Sequence, residues 1–194
     1  MGRLDGRVAL VTGAGRGFGR AIALAFGREG ADVAVNYNAS AAGAKEVVTE
    51  LQQLGRRAEA VHADVARADQ VGAMVDLVLA RFGRLDILVN NAGVMTRGQF
   101  IDAPIESYES MFAINVMGTF LCTQRALRPM VSARYGRIIN FSTQLVRPRS
   151  APVASPPTPR PRAPSRRSPA RWLTRWARTA SPSTRSRPAG STPT

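Results

Sequence analysis

Cysteine, histidine and lysine are almost missing from this chain: Cys122, His62 and Lys45 each stand alone in 194 residues. A single cysteine excludes an intramolecular disulfide framework and a thiolate-built metal site, and it suits a reducing cytoplasm. Cys122 falls in an apolar helical run and reads as a buried structural residue, and no metal site is expected. No run of 18 apolar residues occurs, and Met1–Asp5 lacks the basic-then-apolar layout of a signal peptide. The expectation is a soluble, cytoplasmic protein with no membrane partner. Acidic residues are missing from one end only. Residues 1–146 carry 16 Lys/Arg and all 13 Asp/Glu, whereas residues 147–194 carry 11 Arg and no acid, for net charges of +3 and +11. Of 13 prolines, only Pro104 and Pro129 precede Val146. The chain therefore reads as one domain over residues 1–146, long enough for a sizeable core, and a disordered, basic, low-complexity tail over 147–194.

What is present begins with Val8-Ala-Leu-Val-Thr-Gly-Ala-Gly-Arg-Gly-Phe-Gly19. Four apolar residues lead into a glycine-punctuated turn, and an amphipathic run follows to Arg28, which predicts a buried strand entering a helix. Gly13, Gly17 and Gly19 leave out side chains where the backbone turns sharply, nears a pyrophosphate and packs on the strand, and the N–H groups opening the helix face the anion. The stretch reads as a dinucleotide cradle. Further strands are predicted at Asp32–Tyr37, Ala58–His62, from Leu85, and from Gly136 to Thr143. Helices are predicted at 41–54, 70–82 and, as one long rod, from about Asp102 to Val131. The residue ending the second strand meets the adenosine ribose, where an acid suits a free 2′-hydroxyl and a neutral residue beside Arg suits a 2′-phosphate. Here it is Asn36, with Arg16 in the glycine turn. That pairing favours NADP(H) over NAD(H), although Asn also suits a hydroxyl, and the alternative for Arg16 is a solvated loop cation. Asn115, amid Phe112, Ile114, Val116, Met117 and Phe120, calls for buried hydrogen-bond partners or a water. His62, inside a strand, reads as structural.

The spacing Thr12-Gly13-x-x-x-Gly17-x-Gly19 resembles the short-chain dehydrogenase/reductase family, and Asn90-Asn91-Ala92-Gly93 matches that family's motif residue for residue. The resemblance, closest to 3-oxoacyl-acyl-carrier-protein reductases, covers residues 1 to about 146. It implies an α/β, Rossmann-type doubly wound parallel sheet in the order 3-2-1-4-5, truncated after the fifth strand. It further implies hydride transfer between nicotinamide and a carbonyl or alcohol, the substrate being a 3-oxoacyl thioester or a similar small-molecule ketone. The cofactor wall would be Gly13, Arg16, Gly17, Phe18, Gly19, Asn36, Asp64, Val65, Asn91, Ala92 and Gly93. Asn115 would hold a water in the proton relay, and Thr143, with Ser142 before it, would stand for the catalytic serine.

The family next places a Tyr and, four residues on, a Lys along one helix face: the Tyr is the proton donor, and the Lys depresses its pKa. Neither is here. Tyr37, Tyr108 and Tyr135 come too early, and prolines between 156 and 164 forbid the helix. The resemblance thus implies a catalytically impaired chain, unable to build the family's homo-tetramer. An alternative is a non-catalytic nucleotide-binding domain whose arginine-rich arm binds nucleic acid or acidic surfaces by counterion release, with Trp172 and Trp176 stacking on bases. A slipped reading frame near Val146 explains more. Written CCT ACG CCG CGA CCA AGG GCG CCG, Pro157 to Pro164 regroups one base on to TAC GCC GCG ACC AAG GGC GCC, or Tyr-Ala-Ala-Thr-Lys-Gly-Ala. In the same register Arg178 to Ala189 regroups to His-Gly-Ile-Thr-Val-Asn-Ala-Val-Ala-Pro-Gly, similar to the family's sixth strand and following turn. Sequencing the gene around the Val146 codon checks this: the shifted frame is expected to carry the Tyr and Lys codons, and any other synonymous spelling removes the slip.

Overall fold

The computed structural model describes residues 2–95 and 100–142, all within the first of the two units into which the chain divides, Met1–Gln144. Thr143, the 147–194 tail and the regrouped segments lie outside the described residues. The sheet consists of β1 (Val8–Val11), β2 (Asp32–Tyr37), β3 (Ala58–His62), β4 (Ile87–Asn90) and β5 (Arg137–Asn140), all parallel, in the order β3-β2-β1-β4-β5. This is the Rossmann-type order expected.

Side-chain alternation along β1 explains the double winding. Val8 and Leu10 join a core with α3 (Ala68–Phe82) and α5 (Gly118–Ser132), while Ala9 and Val11 join a second core with α1 (Gly17–Arg28) and α2 (Ala41–Gln53). A strand apolar on both faces needs helices on both faces. On α3, Val71, Met74, Val75, Val78 and Phe82 are buried, and the helix ends at Gly83, whose φ of 79° closes its last turn onto Leu79. Arg67 begins α3 without a capping side-chain bond. That omission forgoes about 1 kcal/mol, small beside the apolar stripe at about 1.5–3 kcal/mol per buried side chain. Cys122 is buried against this core, and burial pushes its thiol up to about 12, so it stays protonated.

The single long helix predicted from Asp102 is instead three pieces after a short 3-10 turn, Phe100–Asp102: α4 (Ile105–Phe112), a π-helical turn (Ala113–Met117) and α5. Pro104 sets the start, because a residue preceding proline is driven out of the helical region. Helix α5 closes with a Schellman motif, Tyr135 N–H to Met130 C=O at 3.0 Å and Arg134 N–H to Val131 C=O at 3.0 Å. Arg134 takes the left-handed place, φ 52°, that glycine usually fills. Among the described residues no helix is long and apolar enough to cross a membrane.

At the N-terminal end of the sheet the Asp86 carboxylate, 2% exposed, ties β1 to β4. It accepts from Val8 N–H at 2.9 Å, from Arg7 at 3.1 Å and from Arg84 Nε and Nη2 at 2.7 and 2.6 Å. Burial opposes the charge, but these donors outweigh it and hold the carboxyl below its usual range. A carboxyl whose folded pKa is depressed adds stability above its unfolded pKa and loses it as pH falls through the folded one. Asp86→Asn is expected to cost about 2 kcal/mol near neutral pH, less than a fully buried pair because both arginines are part-exposed. Denaturant melts should show the gap to the parent chain narrowing once the pH drops below the carboxylate range.

Candidate functional site

The loops at the C-terminal ends of the strands surround an open cleft of about 590 Å³, placed where the strand order reverses across β1 and β4. Open α/β sheets place ligands there because the connections diverge to opposite faces. Its walls come from the turn between β1 and α1 (Gly13, Gly15, Arg16, Gly17, Phe18), from the end of β2 (Asn36 to Ser40), from Ala63, Asp64 and Val65 beyond β3, and from Asn91 to Val94 beyond β4, with Ile114 behind. All the cofactor-wall residues expected from the sequence line this cleft except Gly19, which lies beneath it.

Two glycines explain the shape of the first turn. Gly17 has φ 57° with nothing within 4 Å of a Cβ built there, so its open side faces the cleft. Gly19 is packed: an added Cβ would come within 2.5 Å of both Gly13 C=O and the Asn91 side chain. Helix α1 therefore starts close under the turn with its first N–H groups aimed at the cleft, a setting for an anion. Arg16 precedes α1 in extended conformation, its side chain exposed and without an acidic partner among the described residues.

A buried polar latch holds these loops together. The Thr12 hydroxyl, 1% exposed, donates to Val89 C=O at 3.1 Å and accepts from Asn91 N–H at 2.9 Å and Ala92 N–H at 3.0 Å. The Asn91 amide nitrogen reaches back to Thr12 C=O at 2.8 Å and Gly13 C=O at 3.2 Å. On the other side Asn36, also 1% exposed, accepts from Gly13 N–H at 3.1 Å through Oδ1 and donates through Nδ2 to Val61 C=O at 3.2 Å and Ala63 C=O at 3.1 Å. Its side chain thus braces the glycine turn, whereas the sequence reading turned it toward a ribose. The side chains at the β2 end with access to the cleft are Tyr37, Asn38 and Ser40, which sequence reasoning passed over. It passed over the latching role of Thr12 too, although a hydroxyl directly after four apolar strand residues was the available signal.

Asp64 accepts from Ala66 N–H at 2.9 Å and its own N–H donates to Gln70 at 2.8 Å, which shapes the entry to α3, and Val65 is buried beside it. Asn115 sits in the π-helical turn, a geometry that pushes one residue out of helical register. Its amide pairs twice with Val94, accepting from N–H and donating to C=O, each at 2.9 Å. Asn115 has hydrogen-bond partners, but they are exposed rather than buried as expected, and so are Asn115 itself and Phe112, Val116, Met117 and Phe120 around it. Ser142 follows β5 at the same end of the sheet and is exposed. Among the described residues no group of three or more His, Cys, Asp or Glu side chains converges for a metal.

A glycine turn feeding a helix at a parallel-sheet switch point, latched to an Asn-Asn-Ala-Gly turn, has a counterpart among known proteins: a family model for short chain dehydrogenase matches residues 7–153. The chain belongs to that family. It is 41% identical over 143 residues to a 3-oxoacyl-acyl-carrier-protein reductase of Synechocystis sp., covering 74% of this chain and 58% of that enzyme. A solved short chain dehydrogenase of Burkholderia cenocepacia in complex with NADP is 41% identical, with a TM-score of 0.68 over 74% of this chain and 58% of that one. A 7α-hydroxysteroid dehydrogenase complexed with NADH and 7-oxo glycochenodeoxycholic acid is 36% identical, with a TM-score of 0.69 over 73% and 55%. The chain spans little more than half the length of these relatives.

The latch makes Thr12→Val a sharp test. It keeps the shape but leaves the part-buried Ala92 N–H without an acceptor and the Asn91 N–H with Val89 C=O alone, at 3.1 Å, and is expected to cost about 1–2 kcal/mol of stability. Thr12→Ser should recover most of it in thermal or denaturant unfolding.

Proposed function

We propose that this chain carries the nucleotide-binding half of an NADP(H)-dependent short-chain oxidoreductase and is itself impaired in turnover. The observation that carries the reading is the cleft at the switch point, floored by a glycine turn whose Gly17 side is open and rimmed by Arg16, which has no acidic partner among the described residues. The volume suits a dinucleotide site. When bound, the nicotinamide would supply hydride exchange with a carbonyl or alcohol, a 3-oxoacyl thioester being the substrate class suggested by the Synechocystis relative.

The chain's own residues divide the remaining work. The N–H groups opening α1 hold the pyrophosphate, and Arg16, with Asn38 and Ser40 nearby in the cleft wall, meets a 2′-phosphate. Asp64 and Val65 border the adenine, and Ala92 and Gly93 give backbone to the nicotinamide half. Asn115 places a polar amide beside the Val94 backbone, where it can order a water. Ser142 and Thr143 orient the carbonyl oxygen. The protonation step lacks its donor: no Tyr-x-x-x-Lys stands anywhere after Thr143. Loss of a positioned general acid removes about two to four decades of rate. The exposed Phe112, Phe120 and Val131, at 60%, 54% and 71%, support a further part of the reading, that the chain self-associates rather than building a closed tetramer.

Calorimetric titration of the purified chain should show NADPH binding that Arg16→Ala weakens about tenfold while NADH binding is unchanged, as expected for a charge-assisted phosphate contact. Loss of NADPH absorbance on adding ketones should stay at the buffer rate; steady turnover would overturn the impaired-enzyme reading.

A further inference from the structure

We infer that β5 is a docking edge for a second copy of this chain: two β5 strands pair antiparallel about a two-fold axis at Ile139 and join their sheets edge to edge. The inference rests on the self-association reading above and names the contact that makes it. Among the described residues β5 pairs with β4 alone. Arg137 and Phe141 N–H donate to Asp86 and Asn90 C=O, and Ile139 falls between them in the same alternation. The N–H and C=O groups of Ile138 and Asn140 therefore point to the outer edge. Such a row is a template for another strand unless proline, lysine or an inward-pointing charge guards it, and residues 138–141 hold none of these.

Side chains select the same strand as the occupant. Ile138 packs against the core of α3 and α5, so Arg137, Ile139 and Phe141 alternate onto the other face. There Ile139 is 40% and Phe141 48% exposed, and Arg137, also exposed, has no acidic partner among the described residues. Residues directly opposite in an antiparallel pair share a face. An axis at Ile139 sets Ile138 opposite Asn140 of the second copy, where the outward N–H and C=O groups exchange hydrogen bonds, and it sets Ile139 against its own copy. At each end Arg137 meets Phe141 of the second copy, a cation on an aromatic ring. The two Arg137 residues stay about 14 Å apart along the strands, at about 3.4 Å per residue, so the like charges do not meet. An axis at Ile138 loses this match: Arg137 would face Ile139, and Gly136, outside β5, would have to enter the ladder.

Sedimentation velocity of the full chain across a dilution series tests the pairing. The parent chain is expected to form a dimer. Ile139→Lys and Ile139→Asp should each weaken it about tenfold or more, because like charges would face each other at the axis, and an equimolar mixture of the two should recover it. Ile139 stands outside both cores, so these changes leave the fold in place. A second measurement needs no new charge. Under mild oxidation Ile139→Cys should give a cross-linked dimer on a non-reducing gel and Arg137→Cys should not, because a disulfide needs Cα atoms within about 7 Å. Cys122, buried and held protonated, should give none in the parent chain. A dimer that ignores the charge changes, a mixture that fails to recover it, or cross-linking of Ile139→Cys no greater than that of Arg137→Cys overturns the pairing while self-association stands. A monomeric parent chain removes the self-association reading, and the pairing falls with it.

Discussion

The cleft depends on a few hydrogen bonds buried at the C-terminal ends of β1, β2 and β4. Thr12, Asn36 and Asn91 together supply the acceptors and donors for Gly13, Asn91, Ala92, Val61, Ala63 and Val89, and the first two are as inaccessible as the valines around them. A buried peptide group without a partner is costly. Irregular turns at a sheet edge would otherwise have to open to water to satisfy their backbone. The latch lets three turns lie close and dry on the protein side while their other side remains open, and that open side is the site.

Rigidity below and access above divide the polar residues into two kinds. Asn36 and Asn91 build the walls with their side chains turned inward, whereas Arg16, Asn38 and Gly17 present charge, amide and bare backbone outward. At the opposite end of the sheet Asp86 gathers Arg7 and Arg84. A cluster of charge there secures strand ends.

The sheet is unevenly covered. Buried side chains fill both faces of β1, β2 and β4, yet β5 is mostly exposed, and the π-helical turn and α5 carry large apolar residues in the open. The cleft's walls come from the turns that follow the first four strands, with Ile114 of the π-helical turn behind them. The proton-donating pair implied by the family resemblance would come from sequence beyond β5, outside those walls.

Strand positions and the glycine cradle were legible in the sequence because each rests on local pattern: apolar runs, period, and glycine where no side chain fits; the strand order came only with the family resemblance. Expectations that depended on what packs nearby fared differently. The rod from Asp102 divides at Pro104 and in the π-helical turn, Asn115 is exposed where its apolar neighbours suggested a core, and Asn36 turns inward to the Gly13 turn. The sequence alone determined the parallel α/β scaffold and where its phosphate-sized gap falls, since burial and backbone freedom are written into residue type. Only the tertiary structure decided which amides brace that gap and which face into it, because the direction of a hydrogen bond depends on the partners that folding brings within 3 Å.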